Sequence, residues 1–282
     1  MASFVGFNIG GSSTGVAFGP AVGSGLVSKL SAAVLMSGFA FLGGWTVGRN
    51  VIKTMGGEIV DAALFTPLTS VGVLFFVGFA LLISNLFGVP ASTSMTAVGA
   101  IAGLGAARGG LNMAVLGGIV TWWLVAPLLA FWICAVIGRY LYPYLDAFFA
   151  LDESEGPLLG WNRIGPLAVP QRGPNTTAQE MIGAILVVGI GCYMAFSAGA
   201  SNVANAVAPL VAGGQGPLTA SQGVILAAIS ITIGAFTIAR RTLDTVGNDL
   251  TDLPILAALV VEIVSATLIT FLSWLGIPAS LA

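Results

Sequence analysis

The chain of 282 residues has no histidine, two cysteines and charged side chains at only 7% of its positions. Each scarcity removes a class of function. Without histidine, the side chain that most often relays protons and ligates metals near neutral pH is missing. Cys134 and Cys192 both sit in apolar runs, so they suggest neither a disulfide framework nor a metal site. General acid–base chemistry would fall on Glu262 almost alone, which argues against an enzyme. The formal net charge of −2, with no basic block, gives no footing for nucleic acid.

What is abundant is apolar. Soluble domains carry about 25% charged residues, whereas this chain is 57% hydrophobic with a mean hydropathy of +1.01. It therefore belongs in a lipid bilayer, as a multi-pass protein of the cell membrane. Apolar runs long enough to cross about 30 Å of hydrocarbon fall at 30–48, 67–87, 113–137, 179–197, 221–238 and 254–275. Shorter stretches at 1–10, 14–26, 91–107 and 200–213 are interrupted by Gly, Pro, Ser and Asn, and are expected to form half-helices or re-entrant segments. With 39 glycines to let helices approach closely, the fold class is an all-α polytopic bundle rather than a barrel. Met1 opens directly into an apolar segment without a charged leader, and both ends read as if a longer protein continued beyond them.

The polar segment "RYLYPYLDAFFALDESEGPLLGWNRIGPLAVPQRGPNTTAQE" divides the chain near its middle and is expected to be an extramembrane connector without chemistry of its own. Around it the two halves resemble each other. "NIGGSSTGVAFGPAVGSG" aligns with "SAGASNVANAVAPLVAGG", placing Gly10 on Gly199, Ser12 on Ser201 and Pro20 on Pro209. "RNVIKTMGGEI" aligns with "RRTLDTVGNDL", Thr54 on Thr245, and "FGVPAS" aligns with "LGIPAS", Pro90 on Pro278. Three motifs at nearly one offset mark an internal repeat. The expected units are a first transmembrane repeat at 1–138, the connector at 139–178 and a second repeat at 179–282. Duplicated halves with Gly/Pro-interrupted segments point to a secondary transporter whose site lies at the repeat interface.

Four places combine a hydroxyl or amide with an expected helix start: Ser12-Ser13-Thr14, Ser92-Thr93-Ser94, Ser201-Asn202 with Asn205, and Ser280. Uncapped N–H groups and the positive end of the helix dipole there would bind an anion without a full positive charge. In "FGVPASTSMTAVGAIAG", Pro90 should end the preceding span and a new helix should run over 95–107. The glycines of the first tract would let its backbone approach a ligand. Glu262, well inside the last span, is a charged group that needs a coupling cation, a proton or a remote partner. Arg49, Lys53, Arg240 and Arg241 lie near span ends, where snorkelling suffices. Lys53 and Asp244 hold near-equivalent positions, which raises a pair across the repeats without favouring it.

"SAGASNVANAVAPLVAG" resembles the G-A-N-D-V-A-N-A signature of the inorganic phosphate transporter (PiT) family, a superfamily that includes related sulfate permeases. "GVPASTSMTAVGAIAG" is similar to that family's P-V-S-T-T-H-x-x-V-G-A-I-x-G, and "RRTLDTVGNDLTDL" to its R-V-x-x-T-V-G-x-x-I-T-x-L. The resemblance implies two inverted repeats that move inorganic phosphate by symport. It nominates Ser12, Ser13, Ser92, Thr93, Ser94, Ser201, Asn202 and Asn205 for the anion, with Ser280 added by the repeat, and Ser13, Asn202 and Glu262 for a coupling Na+ or H+. No other cofactor is implied, and homo-oligomerisation is left open. Ser13 and Asn202 stand where the family signatures carry aspartate, Val16 where the first has its second Asn, and Met95 where the S-T-T-H motif has His. Loss of the aspartates would weaken a cation site and favours a fully ionised anion, so a sulfate-type permease is the alternative. A passive anion channel would also be compatible with the loss.

Overall fold

A computed structural model describes residues 1–23, 26–89, 91–149, 159–164, 167–172, 178–244 and 254–280. Pro90, Asp152, Glu153, Glu155 and Thr245, which entered the sequence reading, lie outside the described residues. Eleven helices follow in order among them: α1 (Ala2–Gly23), α2 (Lys29–Thr46), α3 (Gly48–Gly57), α4 (Pro67–Phe87), α5 (Thr93–Arg108), α6 (Met113–Val136), α7 (Tyr142–Phe149), α8 (Ala178–Val211), α9 (Ala220–Thr237), α10 (Ala239–Asp244) and α11 (Ile255–Trp274). Five are long and apolar enough to cross a membrane, and α2 with α3, bent by 61°, makes a sixth if counted as one span. The bundle is helical throughout. Among the described residues, β-strands occur in the connector, as an antiparallel hairpin of β1 (Leu159–Ile164) and β2 (Leu167–Arg172). Residues 139–149 of the expected connector instead continue the path of α6 through a π-helical turn, Ile137–Leu141, into α7.

Local chemistry sets the helix ends. Ser28, Thr66 and Thr219 each place a side-chain oxygen on the N–H three residues on, and Gln222 completes a capping box with Thr219. Asn112 Oδ1 accepts from the N–H groups of both Ala114 and Val115 at the start of α6. α4 and α11 stop in one manner. Gly88 and Gly276 take left-handed φ values of 71° and 78°, and the following N–H groups reach back, Val89 to Ser84 O at 3.1 Å and Ile277 to Leu272 O at 2.8 Å. The span before residue 90 is therefore ended by a glycine cap at Gly88.

The expected breaks at 1–26 and 200–213 do not occur. The first stretch is one helix of 22 residues, and the second is the end of a 34-residue helix. Ser12, Ser13, Thr14, Ser201 and Asn202 thus lie in helix interiors, where their N–H groups belong to the helix ladder. Glycine and serine weaken a helix in water, but between helices in lipid they allow close contact that outweighs propensity. The glycines serve that contact rather than a ligand. A Cβ on Gly10 would lie 2.0 Å from Ile231 O, and one on Gly199 2.0 Å from Ala40 O; on Gly43 it would meet Phe196 O at 1.9 Å, and on Gly234 Phe7 O at 1.8 Å.

These four contacts form a reciprocal set. α1 packs on α9 and α10 while α8 packs on α2 and α3, and α1 and α8 pack on each other. Gly191 of α8 lies against Ala17 and Phe18 of α1, and Asn202 against Ser13, so these two helices run antiparallel. α1 is almost wholly buried at the centre. α6 has Ile119 as its one buried residue, and its outer Leu124, Leu128, Phe131 and Trp132 face outwards, as a lipid-contacting helix requires.

Candidate anion site

The site is built where α5 begins. Ser92 Oγ accepts from Met95 N at 3.3 Å and so caps the helix, which leaves the N–H groups of Thr93 and Ser94 without helical partners. Of the expected helix starts, this one is present, those at Ser12–Thr14 and Ser201–Asn205 lie inside helices, and what would follow Ser280 lies outside the described residues. α8 passes beside the start of α5 and presents Ser201 and Asn202, with Asn205 one turn further on, three residues from Asn202 and four from Ser201. α1 brings Ser12 and Ser13. The segment after α11 turns at Gly276 and carries Ala279 and Ser280 back into the bundle.

A continuous polar network ties these elements. Thr93 Oγ1 donates to Asn202 Oδ1 at 2.5 Å, and Asn202 Nδ2 donates to Ser13 Oγ at 3.1 Å. Asn205 Nδ2 lies 3.1 Å from Thr93 Oγ1, 3.2 Å from Ser94 Oγ and 3.2 Å from Asn202 Oδ1. Ser94 Oγ donates to Ala279 O at 2.6 Å, and Ser201 Oγ donates to the same carbonyl. Asn205 Oδ1 is buried with no hydrogen-bond partner.

A small pocket opens on this network, lined by Ser12, Ser13, Val16, Ala91, Thr93, Asn202 and Ser280, with space for about one water molecule. No charged side chain lines it. Of the nine nominated anion ligands, five therefore form the wall. Ser94, Ser201 and Asn205 stand behind it and hold the wall in place, and Ser92 acts as the cap of α5. Glu262 is buried on α11, 8% exposed; it is not part of this wall, and no ion pair reaches it among the described residues. The anchoring carbonyl of Ala279 was not nominated, although the repeat of "FGVPAS" in "LGIPAS" was its sequence signal.

The Lys53–Asp244 pair does not form. Asp244 binds Lys29, and Lys53 lies 3.2 Å from Glu58. Asp244 follows the C-terminal end of α9, whereas Lys53 shares a pocket with Ala220 at its start, so a membrane-spanning helix separates the two.

Comparison with known proteins decides the family. The sequence model of the phosphate transporter family matches residues 9–282. The chain belongs to the phosphate transporter family. Its members are transporters, not enzymes, and the chain is a multi-pass membrane protein. Among its relatives is the sulfate permease CysP of Bacillus subtilis, 30% identical over 99% of this chain and 71% of that protein. A Pyrococcus furiosus protein named as a phosphate permease is 24% identical over 96% of this chain and 80% of its own length. The fold is that of a solved sodium-dependent phosphate transporter, with a TM-score of 0.77 at 20% identity, over 99% of this chain and 84% of the other.

Proposed function

We propose that the chain is a secondary-active permease for inorganic phosphate, built of two inverted repeats, 1–138 and 179–282, around the connector at 139–178. The observation that carries the reading is the convergence of hydroxyls and amides from α1, α5, α8 and the segment after α11 on one pocket at a helix N-terminus. Inversion is supported by antiparallel α1 and α8, whose equivalent residues Ser13 and Asn202 touch as they would beside a two-fold axis in the membrane plane.

The anion would be held by the Thr93 and Ser13 hydroxyls, the Asn202 amide, Ser12, Ser280 and the free N–H groups of α5. Asn205 Nδ2 already reaches Asn202 Oδ1. Thr93 can therefore turn its proton to an incoming oxygen while Asn202 keeps a donor. A tetrahedral oxyanion is larger than the pocket, so loading requires the wall to part, as alternating access does. Ser13 and Asn202 offer only neutral oxygens to a cation. Glu262 is the remaining carboxylate buried in a span, and it is assigned the coupling role for Na+ or H+.

Sulfate is a second reading, favoured by two observations. No carboxylate lines the pocket to accept a proton from hydrogen phosphate, and a sulfate permease is a relative over nearly the whole chain. Uptake into proteoliposomes tests both readings: accumulation of labelled phosphate, competed weakly by sulfate, is the expected result. Sulfate accumulation that excess phosphate does not compete would replace the first reading with the second. Flux that never saturates and ignores ion gradients would identify a passive channel.

A further inference from the structure

A second pocket, of about 410 Å3, opens at the end of the bundle where α9 begins, and shares no lining residue with the anion site. Its polar wall comes from Arg49 and Lys53 of α3 and from Thr219 and Gln222 at the start of α9. The internal repeat explains why it is open. Ser28 and Thr219 cap α2 and α9 at equivalent positions, and the same offset of 191 residues relates Arg49 to Arg240, Lys53 to Asp244 and Lys29 to Ala220. At one of the two places that the repeat makes equivalent, Lys29 of the first half and Asp244 of the second form an ion pair. At the other, the equivalent residues are Ala220 and Lys53, and both line the pocket. The acidic member of the pair has become basic, and the basic member has lost its side chain beyond Cβ.

The result is an uncompensated cationic recess. Lys53 reaches Glu58 at 3.2 Å, with its side chain 79% exposed, so one carboxylate stands against two cations. Arg49 lies over the Trp45 ring at 4.5 Å and donates from Nη2 to Ser221 Oγ at 3.1 Å. Its Nε is buried with no acceptor, and no carboxylate pairs with it among the described residues. Thr219 satisfies the Gln222 N–H, leaving those of Ala220 and Ser221 at the positive end of the α9 dipole. α9 is a membrane span, so its start lies at a membrane surface.

We propose that this pocket binds a phosphate-class oxyanion at the membrane surface, with Arg49 as its fixed donor and Lys53 as its mobile one. The anion comes either from the headgroup of an anionic phospholipid or from free inorganic phosphate. The test measures the unfolding midpoint of the full chain in nanodiscs of phosphatidylcholine. One arm adds phosphatidylglycerol, and the other adds inorganic phosphate to a Thr93→Val background that weakens the first site, the readout being the part of the rise that depends on the second pocket's residues. Binding raises the midpoint by a few degrees, and K53D/A220K, which installs the counterpart of the Lys29–Asp244 ion pair, removes the rise. Loss of a phosphatidylglycerol-dependent rise identifies the lipid as the source, and loss of a phosphate-dependent rise identifies the free anion. Arg49→Gln serves if the double variant does not fold, with the same loss expected. No rise in either arm, or a rise that the variants retain, overturns the proposal. Because the readout is binding rather than transport, it is independent of the cargo at the first site.

Discussion

Asn202 Nδ2 donates to Ser13 Oγ across 3.1 Å, joining two residues that hold the same position in the two halves of the chain. In the family signature both positions carry aspartate. Two carboxylates at this separation, both buried, would require a cation or a shared proton between them; a hydroxyl and an amide hydrogen-bond directly and require neither. Combining Ser13→Asp with Asn202→Asp should therefore make transport depend on sodium. Anion uptake without sodium is expected to fall by at least ~10-fold and to recover when sodium is supplied, read by labelled-anion uptake in proteoliposomes. Equal uptake with and without sodium would detach this pair from coupling.

Thr93 and Ser92 are neighbours with different duties. Thr93→Val removes a wall donor and leaves Asn202 Oδ1 with only the Asn205 amide. Loss of one such donor costs roughly 1–3 kcal/mol, or about 5–150-fold in anion affinity. Ser92→Ala removes a cap, at about 1 kcal/mol of helix stability, and should leave affinity much closer to that of the parent. Isothermal titration of the purified protein with phosphate and sulfate compares them.

The glycines make a stability prediction that is separate from transport. Alanine at Gly10 or Gly199 would put a methyl 2.0 Å from a backbone oxygen of the opposing helix, which packed backbone cannot yield cheaply. Both variants should lose several degrees of melting temperature or fail to give a monodisperse peak. Gly38 has nothing within 4 Å of a built Cβ, so Gly38→Ala should be neutral or stabilising by up to ~1 kcal/mol.

The six spans could be read from hydropathy because length and apolarity are what a bilayer demands of a helix. The start of α5 was legible too, since Ser92 is a capping residue directly ahead of a helix-forming run. The continuity of α1 and α8 was not. Ser12, Ser13 and the glycines around them read as a break by local propensity, and only the facing backbones of Ile231 and Ala235, far along the chain, convert them into a packing stripe. Nor could equivalence in the repeat give proximity. Ser13 and Asn202 meet because they lie at the centre, whereas Lys53 and Asp244, equally equivalent, end up at opposite ends of α9.

Glu262→Gln keeps the size of the side chain and removes its charge from the interior of α11. If this carboxylate couples flux to an ion gradient, the variant should still exchange labelled for unlabelled anion but no longer concentrate it. Counterflow and gradient-driven uptake, measured on the same vesicles, separate the two activities. Retained accumulation would assign Glu262 a structural part.

The central claim is that one neutral pocket made by both halves of the chain receives the oxyanion. Crystals soaked in selenate, a tetrahedral anion with an anomalous signal, test this directly. The expected difference peak lies within hydrogen-bond reach of Thr93, Ser13 and Asn202, and disappears in Thr93→Val. A selenate peak elsewhere in the bundle, with none between α1, α5 and α8, would contradict it.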